Sequence, residues 1–203
     1  MGTRLAKIIS VLFHPVLMPA YITGIMLNLN AYFVLILSWK AKGILMGMIF
    51  LSTCALPLLF MLLLIHSGKM LNFQMEKRQE RTISLLIISI FYYLTWWMLG
   101  RMPVSPVFPI IMIGIFYTSV LALALNLFYK ISLHMLAAGG ATGVFIGLSL
   151  LLLQPIQLII MLMILISGII GFARLKLNSH NSAQVYLGWI AGVVIMLLVM
   201  NYL

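Results

Sequence analysis

Aspartate is missing from this chain, and Glu76 and Glu80 are its only acids, against twelve Lys and Arg. Magnesium-dependent phosphoryl or prenyl chemistry needs more than one carboxylate to hold its metal, so two Glu four residues apart are a thin supply. A carboxylate-built metal site is not expected, nor a proton relay made of acids, and the chain is read as working without metal or cofactor. Cys54 is the single cysteine and lies in an apolar run, which excludes an intrachain disulfide. It is expected to be a small buried apolar residue.

Charge of either sign is scarce. Charged residues make up 7% of the 203 positions and hydrophobic ones 65%, whereas a soluble domain has about 25% and about 45–50%. That excludes a water-facing globule. The apolar runs do not alternate with polar residues, which excludes barrel strands. A helix needs roughly 20 mostly apolar residues to cross a hydrocarbon core about 30 Å thick. Runs of that kind occupy 8–29, 43–65, 82–99, 107–128, 132–153, 155–172 and 185–203.

The expected fold is therefore all-α, a polytopic transmembrane bundle of six or seven spans forming a single integral membrane domain over 1–203. Arg4 and Lys7 precede the first run as in a signal peptide, but no small-x-small cleavage site follows and Pro15 and Pro19 interrupt it, so it reads as a retained span. Residues 31–37 are apolar but too short to cross. Three prolines in 102–109 mark a connection, and Pro155 suits a first helical position.

The formal charge is +10, but the cations are scattered between apolar runs rather than gathered on one surface. This argues against nucleic acid as partner and for membrane lipids, phosphate headgroups or topology signals. A bacterial inner (cytoplasmic) membrane is the expected setting. The face of the site and the oligomeric state stay open.

Because spans alternate in direction, the connections after the second, fourth and sixth share one face. They hold Glu76-Lys77-Arg78-Gln79-Glu80-Arg81, then Lys130-Ile131-Ser132-Leu133-His134, then Arg174 through His180. Gly139, Gly143 and Gly147 recur at every fourth position on the fifth span, as do Gly188 and Gly192 on the seventh. Small residues at this spacing let membrane helices approach closely. If those faces meet, His134 and His180 are drawn toward one pocket.

The pattern Arg174-x5-His180-x3-Gln184-Val185-x2-Gly188 resembles the third signature of the type 2 phosphatidic acid phosphatase superfamily, where Asp normally stands at the position of Gln184. Ser132-Leu133-His134 is similar to its second signature, a Ser-Gly-His preceded by Pro, with Ile131 and Leu133 replacing Pro and Gly. Lys77, Arg78 and Arg81 supply the cations of the first without its spacing. The resemblance covers roughly 74–192, with the motifs in the family's order.

That resemblance implies a metal-independent phosphohydrolase acting on a phosphorylated amphiphile. His180 would attack phosphorus and form a phosphohistidine; His134 would protonate the leaving alcohol and later activate water. Arg174 and Arg78 or Arg81 suit the phosphate oxygens as planar forks, and Lys77 and Lys130 as point charges. Ser132 would donate to a phosphate oxygen, and the Gln184 amide oxygen would accept the other ring N–H of His180.

Other readings stand beside this one. The basic residues also suit ordinary flanking charge that snorkels to headgroups. His14 and His66 read as interfacial or packing residues, and Tyr92, Tyr93, Trp96 and Trp97 as interfacial or acyl-facing aromatics. Gln184 and Leu133 also fit a non-catalytic relative that binds anionic lipid or supports a membrane complex. A small transporter or flippase is the third possibility, without the paired acids or internal repeat that would favour it.

Overall fold

Proline has no amide hydrogen and pushes the residue before it away from the helical region, so a helix is readily kinked or broken at a step such as His14-Pro15. In the computed structural model, which describes residues 2–68, 78–152 and 155–202, the first apolar run is broken there. Helix α1 (Thr3–Leu12) stops, His14 takes an extended conformation with ψ 137°, a 3-10 turn follows over Pro15–Leu17, and α2 (Met18–Met26) resumes.

The remaining elements are a short α3 (Tyr32–Leu35), α4 (Trp39–Phe50), a π-helical turn at Leu51–Ala55, α5 (Leu56–His66), α6 (Arg78–Leu99), α7 (Val107–Asn126), α8 (Leu133–Leu152), α9 (Gln157–Lys176) and α10 (Ser182–Tyr202). No strand occurs among the described residues. Among the described residues seven helical stretches are long and apolar enough to cross a membrane: Thr3–Met26, Trp39–His66, Arg78–Leu99, Val107–Asn126, Leu133–Leu151, Gln157–Lys176 and Ser182–Asn201. The protein is an all-α, polytopic integral membrane protein.

Local details depart from the sequence reading. The first span begins at Thr3 rather than at residue 8. Pro155 lies ahead of α9, whose N-cap is Ile156, so it is not the first helical residue. Tyr92 is not acyl-facing: it is buried on α6. Cys54 is buried and free, as its apolar surroundings required.

The chain divides into two compact units, one made of Met1–Met18 with Lys130–Leu203 and the other of Pro19–Tyr129. In the second unit α6 packs on α7, and the π-helical turn packs on α6. Hydroxyl pairs join these elements, Ser89 to Ser119 and Thr95 to Ser52, each at 2.8 Å. The same hydroxyls also reach helix carbonyls, Ser52 to Met48 and Thr95 to Phe91. Their polarity is thereby matched inside an apolar interior.

In the first unit α8 packs on α10 and on α9, while α1 lies along α9. The α8–α10 contact is main chain against main chain. A Cβ on Gly139 would strike the backbone of Trp189, and one on Gly192 would strike the backbone of Leu136 and Gly140. Gly143 meets Val193 and Met196, Gly147 meets Met200, and Gly188 meets the Ser132 carbonyl. The two glycine faces read from the sequence do meet. Beside them Met18, Met135, Ala138, Ile170 and Val185 form a buried cluster against which Ile9, Phe13 and Trp189 pack.

Where neighbouring backbone rather than a flexible side chain occupies the space, an added carbon is costly. Gly192→Ala is expected to lower stability by about 1–3 kcal/mol through overpacking, whereas Gly168→Ala, whose new Cβ meets nothing within 4 Å, should be neutral or slightly stabilising. Thermal unfolding of both variants in detergent checks this; equal melting temperatures would deny the close α8–α10 approach.

Candidate functional site

The spacing between Arg174 and His180 is set by how one helix ends and the next begins. Asn178 adopts φ 50°, a left-handed conformation that Asn tolerates better than most residues. Its N–H donates to the Leu175 carbonyl at 3.0 Å, and the Ser179 N–H donates to the Arg174 carbonyl at 3.2 Å. That is a Schellman closure, and it satisfies the last carbonyls of α9. Two residues on, Asn181 caps α10: its side-chain oxygen accepts from the Gln184 N–H at 2.9 Å, and Gln184 Oε1 accepts from the Asn181 N–H at 3.3 Å. This is a reciprocal capping box.

His180 sits between the closure and the box. Its Nδ1 lies 2.9 Å from Gln184 Oε1. Because that oxygen already accepts from a backbone amide, it is the carbonyl end of the side chain, and His180 Nδ1 must be the donor. In the neutral ring the lone pair then belongs to Nε2.

The start of α8 is tied to the same corner. The Ser132 N–H reaches the Gln184 carbonyl at 3.4 Å, and Gly188 has no side chain to keep the Ser132 carbonyl away. Ser132 is fully buried, and its hydroxyl has no hydrogen-bond partner among the described residues. Two residues later, His134 Nε2 lies 2.9 Å from the Ser10 carbonyl. A carbonyl only accepts, so this ring carries its proton on Nε2 and its lone pair on Nδ1. His134 also lies within electrostatic reach of Arg174, His14 and His180.

The broken first helix is the reason that carbonyl is available. Ser10 is among the last residues of α1, whose carbonyls lack partners along the helix; Ile9 is satisfied by Phe13 and Val11 by His14. Ser10 Oγ meanwhile accepts from Arg174 Nη1 at 3.3 Å. The buried Nε of Arg174 has no partner among the described residues. The His14 ring stands edge-on to His134, with centroids 5.6 Å apart and planes at 82°.

Of the residues read from the sequence, the first unit brings together His134, Arg174, His180, Gln184 and Ser132. Lys130 is exposed ahead of α8. Arg78 and Arg81 belong to the second unit, where they serve the end of α7: Arg78 Nε donates to the Asn126 carbonyl at 2.8 Å and Arg81 Nε to the Asn126 side-chain oxygen. Basic side chains commonly close helix C-termini in this way. Lys77 lies outside the described residues.

Ser10 escapes the sequence reading. His14, expected to be an interfacial or packing residue, does pack edge-on against His134 and also caps the 3-10 turn; the proline after it is a visible signal, since a helix broken inside a membrane needs partners for its freed carbonyls. Among the described residues no group of three or more His, Cys, Asp or Glu is placed to hold a metal ion. Comparisons with family models, with curated proteins and with solved structures return no match to this chain.

The two rings should show opposite neutral tautomers. In protein labelled with 15N-histidine, His180 is expected as the Nδ1–H form and His134 as the Nε2–H form, assigned with His180→Ala and His134→Ala. Gln184→Met should abolish the His180 preference and lower stability by about 1 kcal/mol through loss of the box. An Nε2–H tautomer at His180 in the wild type would overturn this orientation of the ring.

Proposed function

We propose that this chain is an integral membrane lipid-phosphate phosphatase, of the kind its motifs resemble, working at a bacterial inner membrane on a phosphorylated amphiphile. Phosphatidic acid, phosphatidylglycerol phosphate, an isoprenyl phosphate or pyrophosphate, and a phosphorylated lipid A precursor are the candidates. The observation that carries the reading is the His180–Gln184 hydrogen bond, which leaves the His180 Nε2 lone pair for phosphorus in a unit where the Arg174 guanidinium and the His180 ring are both within electrostatic reach of His134.

In this reading Arg174 and the Ser132 hydroxyl hold the phosphate oxygens, and the His180 Nε2 lone pair attacks phosphorus. The bond from phosphorus to the lipid oxygen breaks, and that oxygen takes from His134 Nδ1 the proton that Nδ1 first accepted from the bound phosphate monoanion. Water then attacks the phosphohistidine, giving its proton back to His134 Nδ1, and the P–N bond breaks to release phosphate and restore His180. His134 Nε2 keeps its proton on the Ser10 carbonyl throughout, so Nδ1 alone is exchanged.

One observation favours a second reading. The capping box accounts for Gln184 as a helix-start residue whether or not His180 reacts, which suits a non-catalytic relative that binds anionic lipid.

A phosphate-release screen over the candidate lipids in detergent separates the two. Release should survive chelation, stop with vanadate, which imitates pentavalent phosphorus, and vanish in His180→Ala. Gln184→Glu keeps the length needed to reach both donors and adds a charge that balances the developing imidazolium. In a serine protease, replacing the orienting Asp by its amide costs about 10⁴ in rate; the reverse gain here is expected to be about tenfold in single-turnover release, part of it offset by burying a carboxylate. Lipid binding without release in every variant would leave the non-catalytic reading.

A further inference from the structure

We propose that His14 is a phosphate ligand, and that the break in the first helix exists to bring it, with Arg174 and His134, around the anion. The inference rests on the phosphate reading above and adds to it a residue outside all three motifs. The first unit carries Arg4, Lys7, Lys130, Arg174 and Lys176 and not one Asp or Glu. A guanidinium and two imidazoles therefore gather with no carboxylate side chain in their unit to balance them. One guanidinium nitrogen and the Ser132 hydroxyl are buried without a partner among the described residues.

Burying a cation is expensive unless it is paired. In an ordinary membrane protein an intramembrane Arg meets an acid or backbone carbonyls; here Arg174 donates to a neutral hydroxyl. The missing negative charge is best supplied by a ligand, and a phosphate group matches a guanidinium fork and several N–H and O–H donors.

His14 is placed to donate. Its Nδ1 caps the 3-10 turn by accepting from the Val16 N–H at 3.4 Å, so the neutral ring carries its proton on Nε2. The ring stacks edge-on against His134 and lies within electrostatic reach of Arg174. A pure cap would need no ring, since Asn caps as well or better.

That point supplies the test. His14→Asn keeps the capping acceptor, whose Oδ1 takes the place of Nδ1, and removes the Nε2 donor. Binding to wild type, His14→Asn and His180→Ala is measured by calorimetry in detergent with chelator, using inorganic phosphate, short-chain phosphatidic acid and short-chain phosphatidylcholine as separate probes. Thermal unfolding of each variant is followed in parallel. The expected result is an unchanged melting temperature in His14→Asn with about tenfold weaker binding of both inorganic phosphate and phosphatidic acid, the loss of one charge-assisted hydrogen bond, and no change with the choline lipid. Phosphatidic acid binding without free phosphate binding would identify the lipid headgroup as the ligand and keep the proposal, provided that His14→Asn weakens it.

Unchanged binding of phosphate and phosphatidic acid in a folded His14→Asn protein would overturn the role of His14, and failure of the wild type to bind either of them would overturn it too. Should His14→Asn unfold, His14→Gln is read by the same criteria. If both unfold, His14 is structural and the proposal is lost. Phosphate release is scored separately: no release from any protein removes the phosphatase reading but leaves the binding result standing, whereas release that needs His180 and ignores His14 keeps the phosphatase and removes this inference.

Discussion

A main-chain carbonyl in an apolar environment must find a donor within the protein, and much of the first unit can be understood from one such carbonyl. Pro15 stops α1, and the Ser10 carbonyl is released near the helix end. His134 answers it from α8 with Nε2. That bond satisfies the break, joins the first helix to the fifth span, and chooses which nitrogen of His134 keeps a lone pair. The hydroxyl of the same serine receives Arg174, so one short polar residue links three helices.

The second theme is orientation without acids. Histidines in active sites are commonly aligned by carboxylates, which hold a tautomer and also offset the charge that develops on the ring. Here His134 is aligned by a backbone carbonyl and His180 by an amide. Both acceptors select a tautomer, and neither carries a formal charge. The unit is left with an excess of positive charge and buried donors, a composition suited to an anion and poorly suited to a cation or a neutral solute.

Rigid corners hold these groups in place. The Schellman closure after α9 uses Arg174, Leu175, Asn178 and Ser179 and the capping box before α10 uses Asn181 and Gln184, and the main-chain contact of α8 with α10 pins Ser132 beside them. The same corners temper the meaning of the motif: Asn178, Asn181 and Gln184 serve an αα corner of this type whatever its chemistry. What the corner alone does not require is an imidazole at 180, a second one at 134 and a guanidinium at 174.

Composition and apolar run length were enough to determine the helical membrane fold and a count of six or seven spans, because a bilayer admits few other ways of satisfying backbone polar groups. Glycine spacing foretold the α8–α10 contact for a similar reason, since nothing larger fits between two touching backbones. The sequence also marked His134, Arg174, His180 and Gln184 through their motif spacing. It did not reveal that Arg78 and Arg81 close α7 instead of standing with them in one unit, because a basic residue near a helix end looks the same in either role. It did not mark Ser10, and it gave His14 only as an interfacial or packing residue, since both lie more than a hundred residues from His134 and only the folded first unit brings them together. Partners so far apart in the chain leave no local pattern, and tertiary structure alone decided them.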